Sequence, residues 1–472
     1  MEHDLVVFVP GFLGTRLCRD GQDVWARCGE SLIHSPPTAQ TLAEIALPPG
    51  LGDSPPEARF RLDADELLTT PDSLPGLISS LGHPDLRAAL GDLPAAQTVV
   101  FTYDWRLSHR LAARRLRSRV ASELDRWSEQ VGTHYPDRPD DPRVVLVCHS
   151  TGGLIGRHYL ECEDGRNTTR SLVTLGTPYK GLAQAARLLS GHAIPRTGGP
   201  GADIRARLND VLRDWALDLP AVAELLPVYA AVRAEGRTRL RTVTDHRFPV
   251  PGLPTAAIRG ALDLHERFRT ARDTHRRTDP DGRPPYTVHC LAGADFPTPE
   301  TLTVASDGSG LLCGGEDALG LGPGDGTVPR QSALADWAGD EHSPMLWTGS
   351  RNTDMAGAPV LRDILAAVRG GRAPGSMLAG DEGIALHFPS PAVVAGRPFA
   401  VELLGHNLRG RNLRTFMWRS GRAATREPVV FEEHGPDRYR AEVAAAPGRW
   451  WVEAVVDSPK RFDRRDVTVF AA

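Results

Sequence analysis

The sequence predicts an α/β protein, a doubly wound and mostly parallel sheet with helices on its faces, followed by a small β-sandwich. Three observations carry this. Apolar strand-like runs alternate with amphipathic helical patterns through the first 370 residues. One run, Val144-Val145-Leu146-Val147, is apolar at every position, as a strand buried on both faces of a parallel sheet must be, and it feeds a helix-like stretch over 152–161. Beyond residue 380 the pattern changes to short β-like runs between turn residues.

In chain order, the first strand is Leu5-Val6-Val7-Phe8-Val9, ending in Pro10-Gly11-Phe12-Leu13-Gly14. A Pro- and Gly-rich excursion, about 30–95, separates it from a strand over 98–101 and from Tyr103-Asp104-Trp105-Arg106. Leu116, Val120, Leu124 and Trp127 recur at three or four, which predicts a helix over 111–127. Strands at 144–147 and 172–175 follow, with the 152–161 helix between them. From about 183 to 285 the chain is helical and arginine-rich, with Pro and Gly breaks and no clear strand, which suits a cap or lid inserted over the sheet. The sheet resumes at 286–291, passes Gly324-Asp325-Gly326-Thr327-Val328-Pro329, and ends at 345–347 before a closing helix over 358–369. The expected division is a sheet domain over 1–370, a linker over 371–380, and an immunoglobulin-like sandwich over 381–472 with strands at 384–388, 399–404, 415–418, 439–443, 450–456 and 466–470.

Composition limits the partners. Lys plus Arg is 55 and Asp plus Glu 59, a formal charge of −4 with no basic excess to neutralise phosphates, which argues against nucleic acid. Lysine occurs only at Lys180 and Lys460; arginine supplies the other cations in every segment, a bias without functional weight. Met1-Glu2-His3-Asp4 runs straight into the first strand without a leader pattern, and no window reaches 18 apolar residues, so a cytoplasmic protein is expected. Six cysteines (Cys18, Cys28, Cys148, Cys162, Cys290, Cys313) are too sparse for a disulfide scaffold, and free thiols are expected. No metal-ligand spacing stands out and 310–326 lacks the Lys-Ser/Thr ending of a phosphate loop, so no cofactor or metal is expected.

The chemistry concentrates in Val147-Cys148-His149-Ser150-Thr151-Gly152-Gly153, a strand running into a serine and then into glycines that open a helix. This is the pattern of a nucleophile elbow, with Cys148 where a first glycine is usual. An acyl-transfer site also needs backbone N–H donors for the developing oxyanion. Thr151, after the serine, supplies one, and Phe12 in the loop after the first strand supplies the other.

The run Leu5 to Leu17, continuing through Asp20-Gly21-Gln22-Asp23-Val24-Trp25, resembles the opening of the lecithin:cholesterol acyltransferase family. Tyr103-Asp104-Trp105-Arg106-Leu107, the elbow extended through Glu161, Leu175-Gly176-Thr177-Pro178-Tyr179-Lys180-Gly181, Gly293-Ala294-Asp295-Phe296-Pro297-Thr298-Pro299 and Gly324-Asp325-Gly326-Thr327-Val328-Pro329 are similar in the same order. The resemblance implies an α/β-hydrolase fold with a helical cap or lid, and a serine-dependent esterase or acyltransferase that handles lipid acyl esters through an acyl-serine. It implies that Ser150 is the nucleophile, Asp325 the triad acid, and Phe12 and Thr151 the oxyanion donors. The implied partner is a lipid or other acyl ester; separately, the arginine-rich helix leaves peripheral membrane contact open, and the sandwich, by position and composition, leaves a protein partner open.

The histidine does not carry over. The family's place for it reads Ser350-Arg351-Asn352-Thr353-Asp354-Met355, with Asn352 where imidazole is expected, and asparagine takes no proton from serine near neutral pH. His342 is the one histidine of the sheet domain that follows Asp325 in the Ser, Asp, His order, although it precedes the last strand. His109 is a second candidate base, while His149 is read as packed beside the elbow. The competing expectation is a weak or inactive hydrolase-fold protein that binds a lipid or a protein partner.

Overall fold

The computed structural model describes residues 3–25, 39–68, 72–74, 78–81, 97–136, 141–194, 202–280, 284–294, 296–312, 320–335, 345–357, 359–369, 384–387, 392–396, 398–405, 408, 410, 412–419, 425–435, 438–457 and 461–470. Its central sheet has six strands: β1 (Leu5–Val9), β2 (Thr98–Val100), β3 (Val144–His149), β4 (Thr169–Leu175), β5 (Thr287–Gly293) and β6 (Met345–Thr348). They lie in the order β6-β5-β4-β3-β1-β2, every neighbouring pair parallel. The chain leaves β1 for β2 on one side and returns to β3 on the other, so the winding reverses between β1 and β3. In an open α/β sheet that reversal leaves a crevice beyond the carboxyl ends of the two strands, which is where ligands bind. Here those ends carry Pro10-Gly11 and His149-Ser150.

Strand alternation sorts the core into two layers. Leu5, Val7 and Val9 face one way, toward Leu111, Leu116 and Val120 of α1 (His109–His134) and Leu154, Ile155 and Tyr159 of α2 (Gly152–Cys162). Val6 and Phe8 face the other, toward the closing helix. Between these layers in sequence, α3 (Ala202–Leu217) and α4 (Thr255–Thr278) belong to the insertion, and α5 (Pro359–Arg369) is the closing helix, contributing Leu361, Ile364 and Leu365. Helix α1 extends past the expected 111–127 at both ends. Ser108 caps it, its Oγ accepting from Leu111 N at 3.3 Å, and buried Val131, four residues beyond Trp127, carries the apolar face on before the helix ends at His134.

Among the described residues, the insertion differs from the strand-free expectation in one place. Val232–Ala234 forms a short strand parallel to Leu302–Val304, and Val232 also bridges Arg241. Three residues are too few for alternation to show in sequence, and only buried Val232 anchors it. The excursion contributes Asp63–Leu67, which joins Thr15–Arg19 and Gln22–Trp25 in an antiparallel sheet.

At the C-terminal end, Ile384–His387, Phe399–Gly405, Arg438–Val443 and Glu432–Gly435 form one antiparallel sheet. The second contains Leu413–Arg419, Gly448–Val456 and Arg461–Phe470, with Ala392–Val394 added parallel at an edge. Leu386, Val401 and Leu403 of the first share one core with Met417, Val452 and Val456 of the second. Among the described residues, no helix is long and apolar enough to cross a membrane.

Candidate active site

Ser150 follows β3 with φ at +51°, in the left-handed region that costs a side chain with Cβ energy and persists only where the surroundings enforce it. The enforcement is visible. Ser150 N donates to Leu175 O at 2.7 Å, and Gly153 N returns to Ser150 O at 3.0 Å to start α2. A Cβ on Gly152 would lie 2.4 Å from Val9 O and 2.7 Å from Pro10 O, so only glycine lets the elbow press against the end of β1. Cys148 fits the position of the usual small residue because its Sγ points at Gly156, where a Cβ would come within 2.7 Å of it. Burial pushes the Cys148 thiol well above its ordinary range, so it stays a neutral packing group.

The loop after β1 is gripped by aromatic donors. Tyr103 Oη donates to Pro10 O at 3.0 Å, Trp25 Nε1 to Leu13 O at 3.2 Å and Trp105 Nε1 to Thr15 O at 3.1 Å. The two tryptophans share one ring cluster, with Trp105 edge-on to Phe12, Trp25 and Trp215 of α3, while Tyr103 stacks on Phe101. These bonds tie up the loop's carbonyls, and Leu13 is itself held at φ +64°. Among the described residues, no protein acceptor takes the backbone N–H of Phe12 or of Thr151, the two groups expected to receive an oxyanion. Asp104 braces the adjoining loop, buried and paired with Arg106 through bonds of 2.9 and 2.7 Å.

Asp325 sits beyond β5 and is fully buried. Its Oδ1 accepts from Thr327 N at 2.9 Å and Val328 N at 2.6 Å. Its Oδ2 accepts from Asn352 Nδ2 at 2.8 Å, and the same amide nitrogen donates to Gly176 O at 2.9 Å. Gly176, at φ +56°, has no room for a side chain, since a Cβ would fall 2.2 Å from Asn352 Nδ2. Leu175 and Gly176 therefore join the serine's backbone to the asparagine and its acid. Burial outweighs the bonds that favour the charged carboxylate and pushes Asp325 up to about 6. Asp325 thus accepts three hydrogen bonds, two from the backbone and one from a side chain, and that side chain is the Asn352 amide where the family resemblance implies an imidazole.

His149 and His109 bond to groups other than Ser150. His149 directs Nε2 to Asn352 O at 2.7 Å; a carbonyl only accepts, so Nε2 carries the proton. Burial lowers His149 to about 4 and keeps it neutral. His109 turns toward the insertion, where Glu224 receives both its backbone N–H and its Nδ1. His342 lies outside the described residues. Sequence reasoning places Trp25 in the opening run but misses it as a brace of the β1 loop, a role that only its Nε1 bond to Leu13 O reveals.

No family model matches the chain, and no curated protein matches it. Among solved structures it is similar to lipase BlEst2 of Bacillus licheniformis in its propeptide form, at 12% identity over 99% of this chain and 74% of that one, with a TM-score of 0.33. The mature form gives 12% identity over 77% and 91%, with a TM-score of 0.32. An endo-β-1,4-mannanase from Thermotoga petrophila gives 9% identity over 75% and 72%, with a TM-score of 0.16. These likenesses are too distant to bear on what the chain does.

Proposed function

We propose that the chain is a serine-dependent esterase or acyltransferase acting on lipid or related acyl esters through an acyl-Ser150 intermediate. The observation that carries the reading is the strained Ser150 at the strand-order reversal, pressed against a loop whose carbonyls are tied back. In this reading Ser150 Oγ attacks the ester carbonyl, and the N–H groups of Phe12 and Thr151 receive the oxyanion. The leaving alcohol departs, and water or a second alcohol takes the acyl group from the serine. The ordered motifs shared with the acyltransferase family favour lipid esters. The catalytic unit would be an α/β-hydrolase domain over 1–370 with its cap at about 183–285, and the 381–472 sandwich would recruit a substrate, a membrane surface or a protein.

Asn352 favours a second reading, a hydrolase-fold protein of low turnover that mainly binds its acyl ligand. An amide accepts no proton from serine, and a site without its base retains only about 10³–10⁴-fold acceleration over water, from the oxyanion donors and binding. Fluorophosphonate labelling of the purified chain, located by peptide mass spectrometry, tests the main reading, with Ser150→Ala as control. Labelling confined to Ser150 is expected. A folded chain that stays unlabelled, with and without lipid vesicles, would sink the reading and leave the binding protein.

A further inference from the structure

A basic depression lies on the insertion, and Ser150 is not among its lining residues. The hairpin that starts at Val232–Ala234 encloses a depression of about 490 Å³ lined by Ala234, Arg237, Thr238, Arg239 and Arg241. The turn is preformed. Val232 and Arg241 exchange both backbone bonds at 2.8 Å, and Arg237 N donates to Ala234 O at 3.0 Å. Parallel pairing fixes the strand to Leu302–Val304, a segment that continues from Phe296–Pro299, the partner of the strand just before Asp325.

Arginine instead of lysine says nothing in this chain, which uses arginine almost throughout. The informative feature is the lack of neutralisation. Among the described residues, Arg237 and Arg239 are exposed and meet no carboxylate. Arg241 has a distant one, Asp245 at 3.6 Å, and stacks its guanidinium over Phe248 at 5.0 Å. The turn's own acid, Glu235, is turned to the neighbouring segment, where it accepts from Ser306 N at 2.9 Å. Three guanidiniums around one concavity repel each other, and a planar fork of donors fits a tetrahedral oxyanion bidentately.

We infer that this depression is a binding site for a phosphate group, carried either by a lipid headgroup or by a soluble phosphate. Leu240 stands exposed among the arginines, an apolar contact that a lipid surface would cover. The inference does not depend on Ser150 being reactive.

The test uses the full chain and the double variant Arg237→Ser/Arg239→Ser. Both chains are sedimented with phosphatidylcholine vesicles with and without phosphatidic acid, and titrated with inorganic phosphate by calorimetry. An arginine at an anionic surface contributes about fivefold in affinity, so the variant should lose about 30-fold. Loss on phosphatidic acid vesicles places the phosphate in a lipid surface; the same loss on inorganic phosphate, without vesicle binding, makes the ligand soluble. Arg276→Ser/Arg277→Ser removes equal charge from exposed positions of α4 and should leave binding unchanged. Equal binding by wild type and the hairpin variant, equal loss in the α4 variant, or no binding of either probe by wild type overturns the inference.

Discussion

If Asn352 leaves Ser150 without a base, Asn352→His should turn a slow site into a fast one. Asn352 Nδ2 lies 2.8 Å from Asp325 Oδ2, so Nδ1–H of an imidazole at this position inherits that bond, and its second ring nitrogen is carried further from the carboxylate than the amide extends. The ring then does what the amide cannot, accepting the serine proton and returning it to the leaving group. General acid–base catalysis contributes about 10²–10⁴-fold, so kcat/KM on a p-nitrophenyl ester should rise by at least about 10² over wild type. The sign of the pH response follows. Only the neutral imidazole is a base, so the variant's rate should climb as pH rises through about 6.5 and then level, while wild type lacks that limb. Ser150→Ala in the same background should abolish the gain. A wild-type rate within tenfold of the variant would refute the reasoning: two fast rates would mean that the natural chain has a base elsewhere, with His342→Ala the first place to look for it, and two slow rates would mean that an imidazole at 352 does not serve Ser150.

Asp325→Asn removes a buried charge. The carboxyl is raised from 3.8 to about 6, so the folded chain binds its proton more tightly than the unfolded one, and this contribution to stability is lost as pH rises through that window. From the removed charge alone the variant should gain up to about 3 kcal/mol at pH 8, about half of that at pH 5 and little at pH 3, less a pH-independent loss from the Asn352 Nδ2 bond to Oδ2, read from thermal unfolding at the three. Gly152→Ala places a methyl 2.4 Å from Val9 O, which is fixed in the sheet, and should cost about 3 kcal/mol and abolish fluorophosphonate labelling. Retained labelling and stability there would mean that the elbow does not press on β1.

The parts of the fold legible in sequence are those whose burial repeats locally. Leu5–Val9 and Val144–His149 are apolar because both faces of a central strand are covered, and α1 shows its period because one face stays wet. Val232–Ala234 was invisible because its pairing comes from a segment about seventy residues away and not from its own pattern. The site follows the same division. Ser150 is readable because a strained turn demands glycines next to it in sequence. The grip on the β1 loop is not, since Trp105 and Thr15 are ninety positions apart and only the fold brings them together. Asn352 was readable as a misfit, but its engagement with both Asp325 and Gly176 depends on three separate loops meeting.

That double engagement explains how an amide is accommodated where a base would be expected. Asn352 carries two N–H groups on one nitrogen, and both are used, on Asp325 Oδ2 and on Gly176 O. A neutral imidazole with Nδ1 on the acid has no second proton to offer there, so Gly176 O would lose its donor in a buried place. An unsatisfied buried carbonyl costs about 1–3 kcal/mol. Asn352→His should therefore be less stable by about that amount while turning over faster, a trade of fixed structure for chemistry. Thermal unfolding of wild type and variant above pH 7, where the imidazole is neutral, measures it. Equal stability would mean that Gly176 O finds another donor or that the amide bond to it contributes nothing; higher stability together with higher activity would mean that asparagine confers no structural benefit at this position.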